Sequence, residues 1–145
     1  MTMDILSESI VIKFGRVQKK LSAFYDRAFD PFHLTLAQFL LLVVLFERNG
    51  RTVKEFGATL GLKGGAITPL LDQLERKGYI ERRSDQFDRR AVQIMLTEQG
   101  RLSEQALRDL FEETNDKISR LLQAKFRKED VELLAQMVGY VDFSL

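Results

Sequence analysis

The sequence predicts a mainly α-helical fold carrying one small β-hairpin, and three observations predict it. Apolar residues recur at helical spacing from Ile10 onward; two short helical stretches flank a glycine-containing turn in the middle of the chain; and residues 79–96 switch to an alternation of period two. The chain has 145 residues, enough for one domain with a sizeable core and too few to suggest two independent ones.

Taken in order, Ile10, Phe14, Val17, Leu21, Phe24 and Ala28 show the alternating four-three spacing of a long helix that presents one seam to another helix. It should stop near Asp30, because Pro31 disfavours helical geometry in the residue before it. Thr35 can cap a second helix over residues 36–48, which Asn49 and Gly50 would end. Its run FLLLVVLF also suits a buried strand, but the cap, the stop and the length favour a helix, apolar on all sides and central to the core. Thr52 and Glu55 have capping-box spacing and open a short helix ending near Leu60. A brief turn leads into the next, GGAITPLLDQLERKG, closed by Gly78; the pair has the helix-turn-helix outline. Residues 79–83 and 90–96 alternate as strands, with Val92, Ile94 and Leu96 on one face, and the polar residues 84–89 join them as a hairpin. Thr97 can cap a long helix over residues 98–123, and a last one over about 128–143 carries Val131, Leu134, Val138 and Val141. Apolar seams at both ends of the chain predict a dimer, since a monomer would expose them.

The totals exclude several function classes. With no cysteine there is no disulfide, thiolate zinc site or cysteine redox chemistry, and the single histidine, His33, argues against an imidazole metal site or a Ser-His-Asp triad. No Gly-rich phosphate loop follows a strand, so no enzyme, cofactor or metal is expected. The longest apolar run is far shorter than the roughly 20 residues of a membrane span. The start, MTMDILSES, has no basic segment of the kind that opens a signal peptide, so a soluble cytoplasmic protein with no membrane partner is expected. The net charge of +1 hides a gradient: Lys+Arg against Asp+Glu is 6 to 5 over residues 1–50, 10 to 7 over 51–101 and 6 to 9 over 102–145. The basic third holds the helix pair and the hairpin.

On a helical wheel Ile67, Leu70, Leu71 and Leu74 gather on one side of the second helix of the pair, while Gly65, Thr68, Pro69, Asp72 and Arg76 lie opposite with Gln73 at the flank. The first half of that outer face, Gly64 to Pro69, is nearly stripped of bulk, which lets a helix N-terminus and its free N–H groups approach phosphate. Thr68 can offer its hydroxyl to a base edge or phosphate, and Gln73 can make paired contacts to adenine in a major groove. Pro69 removes a backbone bond and should bend the helix locally, with Gly65 leaving room for its ring. Arg82, Arg83, Arg89 and Arg90 lie on or beside the hairpin, and an arginine suits a narrow minor groove. Asp88 can hold the Arg90 guanidinium in one orientation. Each feature alone also fits a solvated surface; after a helix-turn-helix, together, they describe a face for double-stranded DNA.

Residues 71–100, LDQLERKGYIERRSDQFDRRAVQIMLTEQG, contain L-x-x-L-E-x-K-G-Y-I, then D-x-x-D-R-R, then L-T-x-x-G. This run resembles the signature of the MarR family of winged helix-turn-helix transcriptional regulators, and the helices before and after are similar too. The resemblance implies a winged helix-turn-helix over residues 35–97 and a helical dimerisation region built from both termini, 1–34 and 98–145. It implies a homodimer on a near-palindromic operator, the helix matching residues 62–77 in the major groove, and the wing arginine matching Arg90 in the minor groove with Asp88 supporting it. The DNA-contacting set becomes Lys63, Gly64, Gly65, Thr68, Pro69, Gln73, Arg76, Arg83, Arg89 and Arg90. Members usually repress transcription and release DNA when a small molecule binds between the dimer helices and the DNA-binding lobes; by analogy Phe14, Tyr25, Phe29 and His33 would line that pocket, although aromatics at helical spacing also suit plain core.

Two departures from the family pattern matter. ITPLLDQLE and the upstream LTLAQFLLL are most similar to the branch that senses organic peroxides through an N-terminal cysteine, and Tyr25 matches the tyrosine that assists that thiol. An ungapped register puts the cysteine near Val11, and the chain has none, so thiol-based peroxide sensing is ruled out. Lys63 stands where a capping Asp or Ser is usual; lysine accepts no hydrogen bond, so the helix should start slightly frayed, with a phosphate contact as the compensating gain. The alternative function is a winged-helix module for protein–protein contacts that has lost DNA binding, a reading the low net charge permits.

Overall fold

The computed structural model describes residues 9–88, 91–130, 132–133 and 136. Helix α1 (Ile10–Phe29) runs into a 3-10 turn, Asp30–Phe32, that Pro31 helps to start. Three helices follow, α2 (Leu36–Glu47), α3 (Val53–Leu60) and α4 (Gly64–Arg76), then strands β1 (Ile80–Ser84) and β2 (Val92–Leu96), then α5 (Glu98–Leu102) and α6 (Glu104–Gln123). The fold is the mainly helical one with a hairpin wing that the sequence predicts.

Of the three threonine caps, Thr35 and Thr52 form full capping boxes. Thr52 Oγ1 accepts the Glu55 N–H at 3.3 Å while Glu55 accepts the Thr52 N–H at 2.8 Å. Thr35 and Gln38 do the same at 3.3 and 3.1 Å, so each box satisfies two donors that a helix start would otherwise leave unpaired.

Helix α2 is the centre of the core, as its all-round apolar character requires: Phe39, Leu41, Leu42, Val44 and Leu45 are buried, enclosed by Phe29, Phe56, Ile67, Leu71, Leu74, Ile94 and Leu107. A run of stacked rings ties three helices together. Phe29 lies on Phe39 at 4.7 Å, Phe39 on Phe111 at 5.2 Å and Phe111 on Tyr25 at 5.2 Å, joining α1, α2 and α6.

In the wing, β1 and β2 pair antiparallel from Ile80 opposite Leu96 to Ser84 opposite Val92. Arg51 adds a single bridge to the outer side of β2, exchanging backbone bonds of 3.2 and 2.7 Å with Ile94, which fastens the wing to the start of the helix pair. Among the described residues no single helix is long and apolar enough to cross a membrane.

The one helix expected over residues 98–123 is two. The Ser103 hydroxyl donates to the Gly100 carbonyl at 2.8 Å, the acceptor a continuing helix would offer to residue 104, and the ladder restarts as α6. The first turn is held at the base of the wing instead: Thr97 caps the Gly100 N–H at 3.1 Å, gives its own hydroxyl proton to the Gly78 carbonyl at 2.5 Å and donates its N–H to Tyr79 at 3.0 Å. Of the expected last helix, residues 128–130, 132–133 and 136 are helical, whereas Val131, Leu134, Val138 and Val141 lie outside the described residues, as do Arg89 and Arg90.

Gly100 explains the glycine of the L-T-x-x-G pattern. A Cβ there would lie 2.2 Å from the Tyr79 carbonyl oxygen, a backbone atom that cannot step aside. Gly100→Ala is expected to destabilise the fold by about 2–3 kcal/mol through overpacking, lowering Tm by roughly 5–10 °C for a chain of this size. Thermal unfolding that matches the unaltered protein would refute this placement.

Candidate nucleic-acid interface

The N-terminus of α4 is as bare as its sequence suggests. Lys63 occupies the N-cap without any side-chain cap bond, Gly64 and Gly65 are exposed, and a Cβ at Gly65 would meet nothing within 4 Å. Pro69 sits within the helix, which continues through it to Arg76. Having no N–H, Pro69 leaves the Gly65 carbonyl without its helical donor. The Thr68 hydroxyl donates to the Gly64 carbonyl at 3.0 Å. Its proton is therefore spoken for inside the chain, and its lone pairs and methyl group are what remain for an outside partner. Ile67, Leu71 and Leu74, on the opposite side, are fully buried and fix which face of α4 points outward.

Gln73 departs in part from the expectation. Its Oε1 accepts from Gln38 Nε2 at 2.5 Å, so one lone pair of its amide oxygen is committed within the chain, and the second lone pair and the NH2 group remain for an outside partner. Gln73 is also an anchor of α4 on α2.

That anchor belongs to a larger knot. Gln38 is 1% exposed, yet every polar atom of its side chain is used: Oε1 accepts from the Thr35 N–H at 3.1 Å and from Lys77 Nζ at 2.9 Å, and Nε2 serves Gln73. Lys77 also donates to the His33 carbonyl at 2.5 Å, and the Tyr79 hydroxyl donates to the Phe32 carbonyl at 2.9 Å. Between them Gly78 turns the chain at φ +82°, a conformation glycine adopts freely. The Lys-Gly-Tyr of the sequence pattern therefore ties the end of α4 and the start of the wing to the turn after α1. His33 itself stands in the left-handed region at φ +55°, an uncommon setting for a side-chain-bearing residue that presents its carbonyl to Lys77.

Arg82 is the second correction. Rather than facing outward from the hairpin, its guanidinium bridges Asp72 at 2.6 Å and Glu75, and its backbone N–H reaches Glu75 at 3.3 Å. Partial burial alone would lower its pKa, but the bonds to the two carboxylates outweigh that and hold it above the ordinary value. Strand β1 and helix α4 are clamped into one body. Arg83, exposed, pairs with Glu81 across one residue of the same strand. Lys63 and Arg76, one at each end of α4, are both exposed and make no ion pair among the described residues.

The wing loop closes through the Asp85 N–H to the Ala91 carbonyl at 2.9 Å and the Ala91 N–H to the Asp88 carbonyl at 3.0 Å. Asp85 Oδ1 also accepts the Phe87 N–H at 2.8 Å, which leaves Phe87 at the tip. Sequence reasoning, occupied with arginines, missed Phe87; its signal was an apolar ring in an otherwise polar loop.

The four aromatic positions expected to share a pocket are not brought together. Phe14 and Phe29 are fifteen residues apart on one helix, about 22 Å at 1.5 Å per residue. Phe29 is sealed in the core against Phe39, and Tyr25 is stacked on Phe111 and donates to Asn115 at 2.9 Å. His33 instead borders a groove of about 390 Å³ with Pro31, Phe32, Lys77, Tyr79 and Gln99.

Because Gln38 satisfies donors and acceptors from three elements, Gln38→Leu strands the Thr35 N–H, one Lys77 bond and the Gln73 carbonyl at once. It is expected to cost about 2–3 kcal/mol, the penalty for unpaired buried polar groups. Chemical denaturation measures this; a midpoint equal to that of the unaltered chain would contradict it.

Comparison with known proteins agrees with this geometry. Residues 34–92, from the entry into α2 to the first residue of β2, match the MarR family model. The chain is 43% identical over 88 residues to the HTH-type transcriptional regulator TtmR of Methylorubrum extorquens (strain PA1), an alignment covering 61% of this chain and 42% of that protein. It is 35% identical over 92 residues to the organic hydroperoxide resistance transcriptional regulator of Bacillus subtilis (strain 168), covering 63% of each. The chain thus spans less than two thirds of either relative's length. Among solved structures, the transcriptional repressor CouR bound to a 23-mer DNA duplex superposes with a TM-score of 0.75 at 28% identity, over 97% of both chains. The segment that builds the helix pair and β1, residues 34–92, is thus similar to the MarR family.

Proposed function

We propose that this chain is a dimeric, sequence-specific regulator of transcription that binds double-stranded DNA, with α4 in the major groove and the wing beside it in the minor groove. The observation that carries the reading is the Arg82 bridge to Asp72 and Glu75, which makes the bare-tipped helix and the hairpin a single rigid reading head. The likeness to a repressor structure that contains DNA supports it. Lys63, Arg76, Arg89 and Arg90 are the cations assigned to the phosphate backbone and minor groove; Arg83, balanced by Glu81, contributes less. Gly64, Gly65, Thr68 and Pro69 permit close approach, Gln73 offers its amide NH2 group, and Asp88 supports the wing.

Two reading heads require two copies. Ile10, Val11, Phe14, Val17 and Phe24 of α1, with Leu121 and Phe126 from the C-terminal end, are exposed apolar side chains. A partner helix seated along that stripe would cover a surface that soluble monomers rarely leave open. We assign repression, relieved by a small molecule, as the mode of action. The groove beside His33 is the place where such a ligand would meet Lys77, the residue that holds the end of α4.

In vitro selection of bound duplexes by the purified protein tests the reading directly: a near-palindromic consensus with half-sites about one helical turn, roughly 34 Å, apart is expected. No retention on DNA at low salt would favour the protein-contact alternative. On the selected duplex, Lys63→Ala, Arg76→Ala and Arg90→Ala each remove one cation from both subunits and are each expected to flatten the slope of log affinity against log salt by about 1.8, and Arg83→Ala by less. Identical slopes for all four would remove these residues from the interface. Light scattering should give twice the 16.8 kDa of one chain; a mass near one chain at micromolar concentration rejects the dimer.

A further inference from the structure

Phe87 is 98% exposed, the most exposed of the large apolar side chains among the described residues. Its position is not that of a side chain without a fixed place. The Asp85 carboxylate holds the Phe87 N–H, and the two backbone bonds between Asp85, Ala91 and Asp88 close the loop beneath it, so the ring is carried outward at the end of the hairpin. A groove of about 400 Å³ lies beside it, lined in part by Gln93 and Met95, and the ring does not fold into it.

Resting on the DNA-binding reading above, we propose that Phe87 is the wing's apolar wedge, entering the minor groove next to the recognition helix and levering the base steps apart so that the operator bends. Three considerations select DNA as the occupant. The wing is tied to α4, because Arg82 bridges β1 to Asp72 and Glu75; where α4 docks, the tip is carried beside it. From Arg82 to Phe87 the chain can advance at most about 17 Å at 3.4 Å per residue. A helix centred in a major groove about 12 Å wide has its flanking phosphate wall some 6 Å away, with a minor groove about 6 Å wide beyond it. The reach covers that distance. The surroundings of the ring also suit a nucleic acid: Arg83 precedes it on β1, Gln86 beside it is exposed and able to bond minor-groove acceptors, and two arginines follow in the sequence. Phenylalanine is one of the side chains that minor-groove proteins insert between base steps, at the expense of a few kcal/mol of stacking returned through wider contact.

A ring wedge and a phosphate-binding cation have different signatures, which makes the inference testable. The probe is the duplex recovered from a random library by the unaltered protein, used in salt titrations and in a circular-permutation bending assay. Phe87→Ala is expected to lower affinity about tenfold and to reduce the bend, with the salt slope unchanged because no charge is lost. Phe87→Leu, which keeps an apolar wedge, should recover most of both. Thermal unfolding and mass of the variants should equal those of the unaltered chain, the ring being exposed. If the unaltered protein binds no duplex, the DNA reading and this inference fall together. If it binds and Phe87→Ala matches it in affinity and bend, this inference alone is overturned. A changed oligomeric mass in Phe87→Ala would likewise overturn it, in favour of contact between protein copies.

Discussion

Gln38 puts a whole amide inside an apolar core and the arrangement of the helix pair and wing rests on how that amide is satisfied. Its carbonyl oxygen accepts from the cap of α2 and from Lys77, and its nitrogen donates to Gln73. A buried amide with unmet bonds costs several times what a satisfied one contributes. The observed relation between α2 and α4 meets all of its bonds, and a shift between the helices would break some of them. Apolar packing by Ile67, Leu71 and Leu74 supplies the attraction, but it tolerates small slides along and about the helix axis. The directional bonds of Gln38 and Lys77 do not. Through Lys77 and Tyr79 the same constraint passes to the turn after α1, and so to the helices that carry the exposed apolar stripe.

This arrangement also accounts for a reading head with so little net charge. Two of the arginines that the sequence concentrates around the wing are neutralised locally, Arg82 by two carboxylates and Arg83 by one. Arg82 contributes rigidity in place of attraction. A head that is rigid loses little freedom on docking and can depend more on fit than on field. Lys63 and Arg76 remain exposed at the two ends of α4. A ligand competing for Lys77 in the groove beside His33 would act on the part of the molecule that sets where that helix lies.

Much of this was legible in the order of residues, and the reason differs from feature to feature. Helices α1, α2, α3 and α4 each announce themselves by local rules, an apolar period and a cap or stop within a few positions, and they lie where those rules put them. The interruption at Ser103 was not legible, because an apolar period and a cap do not show that the Ser103 hydroxyl takes the Gly100 carbonyl, nor that the first turn packs on Gly78 and Tyr79 about twenty residues earlier. The partners of Gln73 and Arg82 were not legible for the same reason. A wheel shows which face a side chain occupies but not which neighbour, Gln38 or the Asp72–Glu75 pair, will take its bonds. Phe14, Tyr25, Phe29 and His33 share a spacing that suggests one lining, and three of them diverge into stripe, stack and core.

By itself, then, the sequence determined the element types, the cap residues, the bare outer face of α4 and the presence of a cation-bearing hairpin, since each follows from interactions among residues a few positions apart. Tertiary structure alone decided which polar groups on that face are free. Bonds from Gln38, Asp72, Glu75 and Glu81 remove some candidates and leave others, and such pairings depend on how separate elements pack in space. It likewise carried Phe87 to the outermost point of the wing, because a loop side chain is exposed or covered only according to what the rest of the fold brings beside it.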